Sequence, residues 1–432
     1  MRTDTRVVLL GVGIAVCLAA VRFVASSVEQ IPLFLVVMAA AFLCYFGALL
    51  LVRRAASAGS ALWIVLVAAG IQLAPYRGAP LWDTDAYRYH WDGLVLAHGV
   101  NPYQYPPGDH RLARLRDDYW DRIDYKHINT IYPPVTQFLV GGSYFLDRTP
   151  RRILLLAMGF NLLCLWPLLL LMRARGVEDK WLLIYAWNPL LANEFAIGGH
   201  LDPISVFYLL SALYWLERRR PAWAGAMLGL SVMAKTQMLL AAPLLLRRTG
   251  VKGVGAFVGV SVVLMVPFVG AGAENLLSGS LTYLRQWENN SSVFALVQYA
   301  LGSQAARVVT GCVVLGLVAW LTWRRGDVVL HVGLALGALL LLSPTFFPWY
   351  VSWVLPVACF YPTVTGIAVT FLLLAPYVYY YDKSLGLAMR IPEFVLLYGI
   401  AAAEYVLWRR RRARQAASAD STPSSGDSPS AP

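Results

Sequence analysis

An all-helical polytopic membrane protein with about 12 to 14 crossings is the fold class this sequence predicts. Three observations carry that reading. The chain has 432 residues, of which 58% are hydrophobic and only 14% charged, where a soluble domain runs nearer a quarter charged. Apolar runs recur at Val7–Val24, Ile31–Val52, Ile153–Met172 and Val254–Val269, approaching or reaching the length that spans a hydrocarbon core. Finally, the basic residues gather at the ends of such runs, as Arg53-Arg54, Arg218-Arg219-Arg220, Arg247-Arg248, Arg324-Arg325 and Arg409–Arg412. That is the positive-inside bias of cytoplasmic loops. It accounts for the net charge of +12 without a nucleic-acid partner.

Threading from those clusters orders the elements. Arg2 and Arg6 start inside, and two helices near 7–25 and 31–52 go out and return to Arg53-Arg54. The first is read as a retained helix, because no small-residue cleavage site follows it. A helix near 60–76 then leads outward, so the polar stretch 77–131 lies on the outer side. Residues 132–146 are short, carry Gln137 and two glycines, and read as an interfacial helix. Helices 153–172 (inward), 181–197 (outward) and 204–216 (inward) place Gly199–Asp202 outside.

Residues 222–246 read as a hairpin with Lys235-Thr236 at its outer tip. An outer loop near 270–292, helices near 306–323 and 328–342, an outer loop 343–350, two further crossings and an inward helix 392–408 complete the thread. Three regions result: an N-terminal helix pair (1–59), a membrane catalytic domain (60–408, with its outer loop at 77–152) and a basic tail (409–432). The tail reads as disordered from about Gln415, where Ser, Pro and Ala dominate. Both termini are expected in the cytoplasm. The five cysteines, Cys17, Cys44, Cys164, Cys312 and Cys359, sit far apart inside apolar runs and support neither disulfides nor a zinc site.

The polar stretch opens with Trp82-Asp83-Thr84-Asp85-Ala86-Tyr87-Arg88-Tyr89-His90-Trp91-Asp92-Gly93. Three carboxylates, an arginine and four aromatics at a membrane edge fit a site better than a plain loop. The thread adds Tyr103 and Tyr132 from the same loop, His200 and Asp202, Lys235, the Tyr283–Asn290 stretch with Arg285, Trp287 and Asn289, and Pro348-Trp349-Tyr350. Transfer of a sugar from a lipid phosphate needs this inventory. A carboxylate takes the acceptor proton, fixed cations face the phosphate as it gains charge, and rings hold the sugar faces.

Other readings stand beside it. Asp83 and Asp85 suit helix caps, and Trp91 and Trp349 suit an interfacial belt. Asp117, Asp118, Asp121 and Asp124 interleave with Arg114, Arg116 and Arg122 like a solvated face. His200 and Asp202 suit a cap or a metal pair, but no third ligand is evident, so a divalent cation has no support from spacing. Arg285 serves equally as an interface anchor or a phosphate clamp. A lysine between apolar segments, as Lys235 is, reads as functional.

The order of Asp85–Gly93, Gly99-Val100-Asn101-Pro102-Tyr103, Ile131-Tyr132-Pro133-Pro134, Asn188-Pro189, Gly199–Asp202, Gly229–Lys235, Trp287 with Asn289 or Asn290, and Pro348-Trp349-Tyr350 resembles the GT-C superfamily of polyprenyl-phosphate-sugar glycosyltransferases, in its bacterial mannosyltransferase-like branch. The resemblance covers roughly residues 60 to 400. It implies a GT-C-like fold whose large first outer loop carries interfacial helices and the catalytic residues. It also implies a bacterial inner-membrane location with the site on the outer face. The expected reaction passes a hexose, mannose by analogy, from a polyprenyl phosphate to a glycan or lipid acceptor by a single inverting displacement, without a cofactor.

Carried over by position, Asp85 is the general base with Asp83 in reserve. Arg88, Tyr89, Trp91, Tyr103, Tyr132, His200, Asp202, Lys235, Arg285, Trp287, Asn289, Trp349 and Tyr350 become substrate-binding candidates. The helix pair 1–59 stands as an addition, and Phe347 occupies a position where many relatives carry histidine. A lipid-linked-sugar flippase and a non-catalytic membrane scaffold are the competing classes. A flippase needs charges along a transmembrane path, whereas here they concentrate at one face and no paired broken repeats are evident.

Overall fold

Apolar chain inside a bilayer can satisfy its backbone polar groups only within its own segments, which selects helices here. The computed structural model describes residues 3–25, 27–54, 61–78, 80–81 and 84–420. Trp82 and Asp83 lie outside the described residues, as do tail residues 421–432. Seven helical stretches among the described residues are long and apolar enough to cross a membrane, and three shorter apolar helices of 10–17 residues accompany them. The chain is a multi-pass membrane protein.

Helices α1 (Thr3–Val24) and α2 (Ile31–Arg54) pack as a hairpin, followed by α3 (Ala61–Leu73). The polar stretch then supplies α4 (Asp85–Ala97), short 3₁₀ turns and α5 (Pro134–Tyr144). Eleven residues of α5 reach only about 16 Å at 1.5 Å per residue, about half the hydrocarbon core. The interfacial reading of this segment therefore fits its length. Helix α6 (Arg151–Ala174) is a full-length apolar helix.

The continuous helix expected at 181–197 is broken. A 3₁₀ turn at Asp179–Leu182 leads to α7 (Leu183–Ala186) and α8 (Pro189–Asn193), then to a π-turn at Glu194–Gly198. Pro189 lacks the N–H that would continue α7. Asn188 instead caps a fresh start, its side-chain oxygen accepting from the Leu190 and Leu191 amides.

Helix α9 (Asp202–Glu217) runs back to α10 (Pro221–Val232). The hairpin expected around Lys235 is present: a 3₁₀ turn at Thr236–Ala241 follows Lys235 and enters α11 (Ala242–Met265). Gly250, at φ +62°, splits α11 just beyond Arg247-Arg248, a conformation that glycine adopts without the usual penalty. Helices α12 (Ala273–Gln286), α13 (Val293–Leu301), α14 (Ser303–Trp323) and α15 (Val328–Leu342) follow.

The two further crossings come instead as fragments: a 3₁₀ turn at Pro348–Trp353, α16 (Leu355–Ala358), α17 (Val364–Leu372) and α18 (Val378–Tyr381). Pro348, Pro356, Pro362 and Pro376 interrupt this stretch. The last helix, α19 (Lys383–Asp420), continues past Gln415, where disorder was expected to begin.

Lipid tails are as apolar as leucine, so helices associate here through close packing and polar contacts. Gly225 of α10 lies against the Gly253 carbonyl of α11, leaving no room for a side chain. The Ser231 hydroxyl donates to the Ser205 carbonyl of α9 at 2.8 Å, and Asn188 Nδ2 donates to Thr370 Oγ1 of α17 at 3.0 Å. The N-terminal pair joins the same core. Tyr45 of α2 donates to the Ile184 carbonyl at 2.7 Å, and Phe42 packs edge-on against Phe371. α1 and α2 thus buttress the broken α7–α8 segment, whose far end carries Glu194 and His200.

Candidate active site

Helical spacing divides α4 into two faces. Asp85, Arg88, Tyr89 and Asp92 fall at intervals of three and four, hence on one side. Tyr87, Trp91, Leu94 and Val95 take the other side and are buried against Leu112 and Ile123 of the outer loop. Asp85, Arg88 and Tyr89 open onto a cavity of about 1000 Å³. Trp91 belongs to the loop's own core and does not line that cavity.

The Asp85 carboxyl is pushed up to about 6, above all by burial. Lys235 and Arg88 oppose that rise, while Asp202 and Asp124 add to it. Arg88 is held from behind: its Nε donates to Asp92 Oδ1 at 3.1 Å and its Nη2 to the Ile128 carbonyl at 3.0 Å. Asp92 also accepts from Thr130 Oγ1 and from Gln137 Nε2. Asp92 therefore ties α4 to the loop segment at Thr130 and to α5 as a structural partner.

Tyr132 lines the cavity beside Tyr89, ring centroids 4.3 Å apart. Tyr103 stands behind it, donating to the Tyr132 carbonyl at 2.7 Å and packing on Phe268, outside the cavity lining. Tyr103 thus supports the wall from behind.

Across the cavity, Lys235 Nζ reaches Asp202 Oδ1 at 2.7 Å and lies 4.8 Å from the Tyr350 ring centroid. Trp353 Nε1 donates to the same Oδ1 at 2.7 Å. Asp202 starts α9, is buried, and reaches the cavity only through Lys235. His200 stacks on Trp349 at 3.5 Å and 13°, and Phe347 stacks on Trp349 at 4.5 Å. These three rings line the cavity together. Burial, reinforced by the Lys235 charge, holds the His200 imidazole well below its usual range.

The loop after α12 closes the wall. Asn289 pairs through its backbone with Pro344 and Phe346, which brings Trp287 and Asn289 into the lining. Tyr283 and Tyr350 meet hydroxyl to hydroxyl at 2.8 Å. Arg285 sits in the exposed last turn of α12 and does not line the cavity.

Sequence reasoning passed over several lining residues. Asp124 faces the cavity and accepts from Thr84 Oγ1 at 2.8 Å; Asp117 bonds the buried His90 at 2.6 Å. Neither belongs to a purely solvated face. Glu194, in the π-turn, accepts from Asn193 and Tyr377 and lies 3.4 Å from His200 Nε2. π-Turns recur at functional sites. Arg390 of α19 lines the cavity as well. A carboxylate and a guanidinium inside apolar stretches were the available signals for these last two.

Among the described residues no three His, Cys, Asp or Glu side chains gather as a metal site. The arrangement offers a half-buried carboxylate of raised basicity, cations lining the same cavity, and stacked rings. From Leu239 and Leu240 the wall continues as an apolar strip past Leu315, Val318 and Leu339.

The chain resembles known proteins in sequence. Residues 7–249 match the family model described as alpha-(1→6)-mannopyranosyltransferase, N-terminal domain. The chain belongs to the alpha-(1→6)-mannopyranosyltransferase family. It is also similar to alpha-(1→6)-mannopyranosyltransferase A of Mycobacterium tuberculosis, 24% identical over 329 residues, which is 67% of this chain and 63% of that relative. The chain thus spans somewhat less than two thirds of the relative's length. The family match begins at residue 7, so α1 and α2 fall within the shared domain, in keeping with their packing against the segment that carries Glu194.

Proposed function

We propose that this protein is a polyprenyl-phosphate-mannose-dependent mannosyltransferase that extends a glycan or lipid-linked acceptor. The observation that carries the reading is the placement of Asp85, Lys235 and Arg88 in one cavity whose wall continues as an apolar strip, in a chain of this family. The strip suits the lipid tail, the cations its phosphate, and the His200–Trp349–Phe347 rings the sugar faces.

The reaction is a single inverting displacement. The acceptor oxygen attacks the anomeric carbon, and Asp85 takes the hydroxyl proton as the new C–O bond forms. The bond from that carbon to the phosphate oxygen breaks, and polyprenyl phosphate leaves with the electron pair. Lys235 and Arg88 stabilise the charge that gathers on the phosphate. No metal or cofactor enters these steps. The site faces the outer side of a bacterial inner membrane, with both termini in the cytoplasm.

The test uses purified full-length protein in lipid, radiolabelled polyprenyl-phosphate mannose and a lipid extract as acceptor source. Labelled product from wild type, reduced by at least about a hundredfold in Asp85→Asn, is the expected result. Absence of product with mannosyl and several other polyprenyl-phosphate sugars refutes the transferase reading. A reporter fused after Arg412 gives a cytoplasmic signal; a periplasmic signal refutes the orientation.

A further inference from the structure

Among the described residues three cations line the cavity: Arg88, Lys235 and Arg390. The first two each commit part of their donors within the protein and keep others for the cavity. Arg88 serves Asp92 and the Ile128 carbonyl, and Lys235 serves Asp202. Arg390 differs. It is half-buried on α19, inside a stretch long and apolar enough to cross the membrane. Among the described residues it forms neither a hydrogen bond nor a salt bridge.

Neither acidic neighbour bonds it, although Glu393 keeps its Oε2 buried without a hydrogen-bond partner. Glu393, one turn along the helix, accepts from Asn290 Nδ2 at 3.0 Å. Glu288 is held by Gln298, Ser303 and Arg307. The guanidinium donors of Arg390 therefore remain for whatever enters the cavity. A cation in an apolar helix is costly and marks function, and a planar guanidinium fork fits a phosphate through two parallel hydrogen bonds. Leu387, one turn before Arg390, lines the cavity too. This face of α19 thus presents an apolar side chain and then a cation, in the order that a lipid phosphate presents its own groups.

We propose that Arg390 binds the phosphate of the lipid-phosphate donor and stabilises it as the leaving group. The assignment rests on the transferase reading above. The donor phosphate carries one negative charge as a diester and gains charge as its bond to the sugar breaks. Arg390 accordingly binds the transition state more strongly than the ground state. It moves no proton and forms no covalent bond.

The experiment compares wild type with Arg390→Gln, Arg390→Met and Arg390→Lys in reconstituted full-length protein. Donor and acceptor are varied separately, and unlabelled polyprenyl phosphate is added as a competing product. Removing the guanidinium should lower kcat/KM for the donor by about 10²- to 10³-fold, the range for loss of one preorganised charge-stabilising group. Inhibition by polyprenyl phosphate should weaken in parallel, the acceptor KM should stay unchanged, and lysine should restore part of the activity. The methionine variant keeps the apolar stem and carries the test if the glutamine variant fails to fold.

A raised acceptor KM with unchanged donor kinetics overturns the assignment in favour of an anionic acceptor group. Unchanged kinetics in both dimensions also overturn it. If wild type transfers no mannose, the transferase reading has failed, and direct binding of polyprenyl phosphate decides separately. Equal affinity of wild type and Arg390→Gln then overturns the role of Arg390.

Discussion

Lys235 and Asp202, 33 residues apart in the chain, meet at 2.7 Å in the interior, with the carboxylate fully buried and the ammonium only slightly exposed. The pair joins the α10–α11 hairpin to the start of α9 beneath the cavity. Trp353 is the second donor to the same carboxylate oxygen, and Asp202 Oδ2 is buried without a hydrogen-bond partner. Much of the carboxylate's compensation therefore rests on Lys235.

Breaking the pair from one side should cost more than removing both charges. Lys235→Met leaves Asp202 as an uncompensated buried charge, a loss of about 3–5 kcal/mol in such sites. The double variant Lys235→Met/Asp202→Asn should regain a large part of that stability while transferase activity stays lost. Thermal unfolding of wild type, Lys235→Met and the double variant in detergent checks this. A double variant no more stable than Lys235→Met would show that the pair is not what holds these segments together.

Asp85 sets a pH dependence with a definite sign. Base catalysis needs the ionised carboxylate, and burial pushes its carboxyl up to about 6. Activity should therefore be lost as pH falls through about 6 and level off above it. Lys235 opposes the rise, so replacing Lys235 by methionine should move the acid limb to higher pH in whatever activity remains. Asp85→Asn should lose about 10²- to 10⁴-fold in kcat with little change in melting temperature. A wild-type acid limb near pH 4 would contradict the buried-base geometry.

Much of this site was legible because its residues carry chemistry that lipid excludes. Asp85, Lys235 and His200 stood out as polar groups beside apolar runs, and all three line one cavity. Facing was harder to read. Trp91 and Arg88 lie three residues apart, so close on the helix surface that spacing alone does not separate them, yet Trp91 packs in the loop core while Arg88 lines the cavity. Tyr103 and Asp202 do not line the cavity, and each reaches it through another residue, Tyr132 and Lys235 respectively. Arg285 and Arg390 show the limit most clearly. Both are arginines near span ends, and only tertiary packing turns the second inward. The broken α7–α8 segment hid Glu194, since an apolar run with one carboxylate reads as a plain helix until Pro189 and Asn188 are given their local roles.

Gly93 tests how α4 is held. A side chain there would run into the Val140 carbonyl of α5 and stand 3.1 Å from the Arg152 guanidinium, itself bonded to His90. Both the carbonyl and the buried arginine are fixed by their own partners, so relief must come from moving α4, which begins at Asp85. Gly93→Ala should destabilise the protein by about 1–3 kcal/mol, the usual cost of overpacking. Activity should fall beyond what partial unfolding explains. Gly142 has nothing within 4 Å of an added methyl, so Gly142→Ala is the matched control. Equal effects of the two would show that the α4–α5 contact does not position the base.

The ring stack makes the last distinction, between a sugar platform and mere packing. Trp349 contacts His200 on one side of its environment and Phe347 on another, at 3.5 and 4.5 Å between centroids. His200 also lies 3.4 Å from Glu194, so Trp349 helps fix a polar group at the cavity surface, whereas Phe347 bears on the rings of Trp349 and Tyr350. Trp349→Leu removes two stacking contacts, each worth about 0.5–1.5 kcal/mol, and frees the imidazole. It should lower kcat/KM by about tenfold or more, since 1.4 kcal/mol of transition-state binding is a factor of ten. Phe347→Leu removes a single stacked partner and leaves the His200–Trp349 pair in place, so its loss should be smaller. Steady-state kinetics with donor and acceptor varied in turn decide the matter. If Phe347→Leu proves the more damaging, the sugar rests on the phenylalanine face and His200 is held for structure alone.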